Sequence, residues 1–292
     1  MDGKSNCSKA IVYFAVSFRR LCLVTVSLPL CGLLFCFITA CIFQQDDIHE
    51  TYCRVYNVIP SISSITGVSP QRYLWRICIA FHIGPRLIIA SVYYTYYLSL
   101  LPAVVKSQHA TYKRLMVLCY WLNILEIASL CGVTYVSNRE NYPVHEKIFI
   151  VFMIGSLSHM LATIKVFKMA RPSMTEAESR SYAIKKALFV TSIVSTVGLL
   201  IFFLKHRLLC HDLAFSWFSL CEYVIASANM AFHVTVVLDF PTEELMVGRG
   251  MFTPSLAAGE KEANEIMTHE GSLPETAAGT RNKIDPKLQK LE

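Results

Sequence analysis

The sequence predicts an all-α, polytopic membrane protein: a helical bundle of about six transmembrane helices with both termini in the cytosol. Three observations carry this reading. Of 292 residues, 54% are hydrophobic and only 16% are charged, an apolar excess that a water-soluble domain of this length does not bury. The apolar residues gather in six runs near the roughly 20 residues that an α-helix needs to cross a hydrocarbon core of about 30 Å. The basic residues also sort by loop, as the positive-inside rule requires.

The chain opens with residues 1–20, a cytosolic or interfacial N-terminus in which apolar Ala10–Phe18 precedes Arg19 and Arg20 and reads as an amphipathic lead-in. No small-residue cleavage site follows, so the next apolar run is an uncleaved first span. The six spans, filling the membrane domain 21–240, are Leu21–Phe43, Leu74–Leu101, Leu115–Val136, Ile148–Phe167, Ala187–Leu204 and Leu213–Leu238. Between the first and second lies the longest internal loop, which carries the turn-rich run Pro60–Pro70. From Pro241 the composition shifts to Gly, Ala, Glu, Lys and Thr without a periodic apolar face, so 241–292 is expected to be a disordered cytosolic tail.

With the N-terminus cytosolic, that side collects Lys4, Lys9, Arg19, Arg20, Lys106, Lys113, Arg114, Lys165, Lys168, Arg171, Arg180, Lys185 and Lys186. The other side receives only Arg54, Arg72, Arg139, Lys147, Lys205 and Arg207. Membrane orientation thus accounts for the net charge of +6, and no nucleic-acid partner is required. Eight of the eleven cysteines fall within spans, where Cys behaves as a small hydrophobe, and Cys7 is cytosolic. Cys53 and Cys210 alone lie in luminal loops, where they are either two free thiols or a disulfide that ties the first luminal loop to the last.

Ionisable groups at membrane depth mark functional sites. On the sixth span Glu222, Asn229 and His233 form one polar stripe at helical spacing. They can hold a head group, with His233 as general base, or make a ladder of interhelical hydrogen bonds. The second span carries Arg76, His82 and Arg86, with Arg72 just ahead of it, on one arc, a forked-donor surface suited to phosphate. For Arg86, which follows Pro85, the competing reading is an ion pair with Glu126 or Glu222. Asn123 and Glu126 share a face of the third span, and His159 stands between Ser156 and Thr163 on the fourth. Neither HExxH, GxSxG, a Walker loop nor zinc spacing occurs, so the sequence calls for neither metal nor cofactor and any acyl-transfer chemistry rests on scattered residues.

The run Pro70-Gln-Arg-Tyr-Leu-Trp-Arg-Ile-Cys-Ile-Ala-Phe-His82, continuing to Pro85-Arg86, resembles the second span of the post-GPI attachment to proteins factor 2 family. So do Thr134-Tyr-Val-Ser137, His145-Glu146 with Phe149-Ile-Val-Phe152, Ser156-Leu-Ser-His-Met-Leu161, Glu222-Tyr223 and Asn229-Met-Ala-Phe-His233. The resemblance runs from Leu21 to Phe240, and the tail falls outside it. It implies a six-span protein of the Golgi apparatus or endoplasmic reticulum. The implied role is remodelling of glycosylphosphatidylinositol (GPI) anchors, at the step that restores a saturated chain after one acyl chain is removed. The implied partners are the anchor phospholipid or lyso-GPI-anchored proteins and membrane lipids. Two forms stay open: an acyltransferase with His233 or His159 as base, oriented by Glu222 or Glu126, or an accessory protein that presents the lyso-lipid to a separate acyltransferase. A non-enzymatic lipid transporter or scaffold is the alternative, because the wider family also contains autophagy modulators.

Overall fold

A computed structural model describes residues 11–249. Its elements in chain order are β1 (Ile11–Ser17), α1 (Phe18–Phe43), α2 (Gln45–His49), α3 (Ile62–Gly67), α4 (Gln71–Ser99), α5 (His109–Tyr135), α6 (Tyr142–Met169), α7 (Glu176–Leu209), α8 (Ala214–Val234), α9 (Val236–Asp239) and β2 (Glu244–Arg249). Among the described residues six helices are long and apolar enough to cross a membrane: α1, α4, α5, α6, α7 and α8 with α9. Residues 15–245 form one compact unit. A second comprises the chain ends, of which 11–14 and 246–249 are described and belong to β1 and β2, the two strands of one small sheet.

Two of the long helices, α6 and α7, start where a side chain satisfies their orphan N–H groups. Thr175 and Glu178 form a reciprocal capping box at the head of α7, and the Asn141 side chain accepts from Val144 N at the head of α6, with Pro143 in its first turn. That box begins α7 eleven residues before the expected Ala187, because a helix continues past the hydrocarbon layer wherever its first turn is capped. Residues 11–17, expected as an amphipathic lead-in, are extended instead. Ile11, Val12, Tyr13, Phe14 and Val16 are β-branched or aromatic, and they pair with Glu244–Arg249, within the expected tail. The remainder of that tail, 250–292, and residues 1–10 lie outside the described residues.

Antiparallel neighbours pack in chain order, α5 against α6 and α7 against α8, while α1 lies along α4. Gly32 permits that last approach, since a Cβ there would meet Cys78 Sγ at 3.0 Å. Helix α7 is the most peripheral, with Val194 65% and Leu208 72% exposed, the apolar face a lipid-contacting helix presents. The loop expected between the first two spans is built up by α2 and α3, which bury Ile48 and Ile65 against Leu33, Cys36 and Ala40. A Cys53–Cys210 disulfide closes this end of the bundle. Around it Leu213 N donates to Tyr56 O (3.0 Å), Tyr56 N to Asp212 Oδ1 (3.2 Å) and Val58 N to Ser216 Oγ (2.9 Å).

Candidate functional site

Inside the bundle three helices, α4, α6 and α8, aim polar side chains at one carboxylate on a fourth, α5. Glu126 of α5 is fully buried. Its Oε1 accepts from Arg86 Nη2 of α4 (3.1 Å) and Asn229 Nδ2 of α8 (3.0 Å) and lies 2.9 Å from His233 Nε2. Its Oε2 lies 2.8 Å from His159 Nδ1 of α6. Arg86 Nη2 also reaches Asn123 Oδ1 (3.1 Å) and His233 Nε2 (2.8 Å), and Asn229 Nδ2 reaches Ser156 Oγ (2.7 Å). The two imidazoles stack with centroids 5.6 Å apart. A carboxylate removed from water requires a counter-charge and filled lone pairs, and Arg86, Asn229 and the imidazoles supply both. His159 donates Nδ1–H to Oε2, which leaves Nε2 as its basic nitrogen. Nε2 of His233 can donate to Glu126 or accept from Arg86 but not both.

Glu126, His159 and His233 bring their ligand atoms within 4.8 Å of one another, a spacing that suits a metal ion. The Arg86 guanidinium, 2.8 and 3.1 Å from two of those atoms, already occupies the cationic position of the cluster and would repel an ion there.

The cluster is the floor of a partly open, largely apolar chamber that extends toward the disulfide end. Its walls are apolar, with Ile79, Val133, Phe149, Met153 and Ile225, and its far end holds Ser63, His145 and Glu222. A rise of about 1.5 Å per residue puts Glu222 about 16 Å from His233 along α8, roughly half of a 30 Å hydrocarbon core and therefore one leaflet deep. A second, smaller chamber lies on the other side of Arg86, His159 and His233, and Tyr97 and Lys185 line it.

The residues singled out from the sequence thus divide into two sets. Arg86, Asn123, Glu126, His159, Asn229 and His233 meet at the floor. His82 is buried nearby, but its Nδ1 bonds to Thr25 O of α1 (2.6 Å). Glu222 lines the end of the chamber nearest the disulfide, its mouth, whereas Arg72 and Arg76 lie outside the lining, Arg76 next to Trp75, which is part of it. Glu222 Oε2 accepts from Ile62 N of α3 (2.8 Å). Arg76 Nη2 bonds to Glu140 Oε2 (2.6 Å) and Tyr135 O (2.8 Å), while Arg72 Nη1 lies 3.5 Å from Glu140 Oε1 and its Nε is buried without a partner. The Ser137 backbone N–H and hydroxyl, then Arg76, hold the Glu140 carboxyl below its ordinary range. Arg76 precedes Arg86 by about 15 Å along α4. The phosphate and free hydroxyl of one glycerol are only a few bonds apart, so they cannot engage Arg76 and His233 together.

Two further arrangements, one partly and one fully buried, had no motif to announce them. Ser63 Oγ is 2.9 Å from His145 Nε2, whose Nδ1 lies 2.6 Å from Val136 O. Lys185 Nζ bonds both Asp239 oxygens (2.8 and 2.9 Å), with Ser181 and Tyr93 completing the carboxylate's shell. The only sequence signal for Lys185 was its place in a basic stretch, which reads first as a topology marker.

Residues 17–243 match the family model Frag1/DRAM/Sfk1/Cwh43P N-terminal domain. The chain is 57% identical over 241 residues to "Post-GPI attachment to proteins factor 2-like" of Drosophila melanogaster, covering 82% of this chain and 74% of that protein. It is 36% identical over 236 residues to "Acyltransferase PGAP2" of Xenopus tropicalis, covering 80% and 92%. It is also 30% identical over 238 residues to "Post-GPI attachment to proteins factor 2" of Caenorhabditis elegans, covering 80% and 89%. No solved structure matches it.

Proposed function

The chain belongs to the Frag1/DRAM/Sfk1/Cwh43P N-terminal domain family, and on that premise we propose that it remodels the lipid of GPI anchors by restoring an acyl chain to a lyso-phospholipid. The names of its relatives, with "Acyltransferase PGAP2" among them, support this role. One observation carries it: the chamber is apolar, one leaflet deep and polar at both ends, the shape that accepts a single lipid chain.

In this proposal a lyso-lipid enters from the membrane with its chain in the chamber and its phosphate at the mouth. Arg72 and Arg76 take up the phosphate, because their forked donors exchange Glu140 for a bidentate anion. The disulfide end faces the lumen of the secretory pathway, in the Golgi apparatus or endoplasmic reticulum. The basic residues on the opposite loops and the oxidising compartment that a disulfide requires both favour this orientation.

The reaction joins the acceptor hydroxyl to the carbonyl carbon of a long-chain acyl ester or thioester. A new ester bond forms, the bond to the donor's alcohol or thiol breaks, and a base carries the hydroxyl proton to that leaving group. The bases proposed from the sequence, His233 and His159, are tied to Glu126 at the floor. If they act, the phosphate must lie near Arg86 and the glycerol must enter deeply.

The experiment combines mass spectrometry of anchor acyl chains in cells lacking the chain, before and after re-expression, with transfer assays on the purified protein. Lyso or unsaturated anchors corrected on re-expression, with transfer by the protein alone, are the expected result. Unchanged anchors would remove the remodelling role. Transfer that requires a second protein would reduce this chain to an accessory that presents the lyso-lipid.

A further inference from the structure

We propose that Ser63 and His145 form a nucleophile–base pair at the mouth of the chamber, and that Ser63 carries the acyl group as an ester during transfer. The inference rests on the acyl-transfer reading above but not on the floor cluster.

Three observations converge on the pair. First, the geometry selects the proton positions. The Val136 carbonyl is an acceptor only, so Nδ1 of His145, 2.6 Å away, must carry its hydrogen there. Nε2 then presents its lone pair to the Ser63 hydroxyl at 2.9 Å, which donates to it. A hydroxyl on a base that a third group orients is the arrangement nucleophilic catalysis requires, with a neutral carbonyl in place of the usual carboxylate. Second, both residues line the apolar chamber, and His145 is only 8% exposed. Third, the depth is right. Ser63 follows Ile62, whose N–H bonds Glu222 (2.8 Å), itself about 16 Å along α8 from His233, so a chain esterified to Ser63 runs down the apolar walls to the Arg86 floor. Ester carbonyls of lipids lie at the top of their leaflet, a depth that matches His145 near the start of α6 better than Glu126 in the interior of α5. Arg72 and Arg76, at the same end, can hold the phosphate of a glycerol whose hydroxyl approaches Ser63.

The chemistry runs in two balanced half-reactions. The Ser63 oxygen attacks the carbonyl of a long-chain acyl thioester or phospholipid ester. Its proton passes to His145 Nε2 and on to the departing thiol or alcohol, which leaves acyl-Ser63. The lyso-lipid hydroxyl then attacks that ester, gives its proton to Nε2 and forms the new lipid ester, and the proton returns to the Ser63 oxygen. Of the two donors the shared chemistry is an activated acyl carbonyl, and the assay separates them.

The test uses the purified full-length protein with a long-chain alkyl fluorophosphonate as covalent probe. Transfer to lysophosphatidylinositol is measured in parallel from a radiolabelled palmitoyl thioester and from a radiolabelled phospholipid. Expected are a probe adduct on the Ser63 peptide, its loss in His145→Ala, and a fall in transfer of about 10²–10⁴-fold in Ser63→Ala. Ser63→Cys should trap an acyl thioester that hydroxylamine releases. Thermal unfolding of each variant checks that the fold survives. Wild-type transfer that persists in Ser63→Ala, with no adduct on Ser63, would overturn the proposal and leave the pair as a tie between α3 and α6. If wild type transfers from neither donor, the acyl-transfer reading fails, and the adduct alone decides whether Ser63 is a nucleophile.

Discussion

Arg86 and Glu126 stand 3.1 Å apart with almost no exposure to solvent, a guanidinium and a carboxylate locked together at the centre of a membrane bundle. Removing one partner of such a pair strands the other, at a cost of about 3–5 kcal/mol. Glu126→Gln or Arg86→Met alone should therefore lower the thermal midpoint in detergent sharply. The double variant Arg86→Met/Glu126→Leu should lie closer to wild type than either single change. Equal, additive losses would show that the pair is not coupled.

Lys185 and Asp239 make a second buried pair, 1% exposed on each side, that joins α7 to the end of α9. Asp239→Asn leaves the ammonium with Ser181 and a neutral amide, so the segment from α9 onward should loosen before the bundle melts. Limited proteolysis after Asp239 reads this directly, and unchanged cleavage kinetics would contradict it.

The Cys53–Cys210 bridge spans 157 residues and fastens the loop carrying α3 to the α7–α8 turn. Cys53→Ser should lower stability by about 2–5 kcal/mol. The same change should leave Cys210 open to alkylation, which mass spectrometry detects as one added label without reduction. Wild type should take the label at these two positions only after reduction.

Glu140 sets a pH limit on the mouth. Its carboxyl is held below the ordinary 4.5 by Ser137 and then by Arg76. A depressed folded value contributes stability that is present above the unfolded value and is lost as pH falls through the folded one. Between pH 7 and the mildly acidic range the Arg76–Glu140 contact should thus be constant. It should release only below about pH 4.5. A Glu140→Gln variant should show no such acid step in hydrogen exchange of the 134–141 turn, and a wild-type step near pH 6 would assign the transition to another group.

Much of this protein was legible in its sequence. Six apolar runs and their basic flanks predict six helices, because the length of a span and the price of a charge in hydrocarbon are set by the bilayer and not by the rest of the chain. The sorting of cysteines by compartment likewise isolates Cys53 and Cys210. Helical spacing alone placed Asn229 and His233 on one face of α8, and Asn123 and Glu126 on one face of α5. Such local periodicities survive any tertiary arrangement.

What the tertiary structure decided is which faces meet. One polar stripe on α8 reads as a single site, yet Asn229 and His233 turn to Glu126 while Glu222 serves α3 two turns away. One arc on α4 reads as a phosphate grip, yet Arg76 pairs with Glu140 and Arg86 with Glu126, about 15 Å apart. Ser63 and His145 are separated by 82 residues and belong to no spacing motif. Only the folding of the loop back over the bundle, fixed by α3 and the disulfide, brings that hydroxyl to that imidazole. Periodicity within a helix is local information, whereas the pairing of helices and loops depends on contacts between residues distant in the chain.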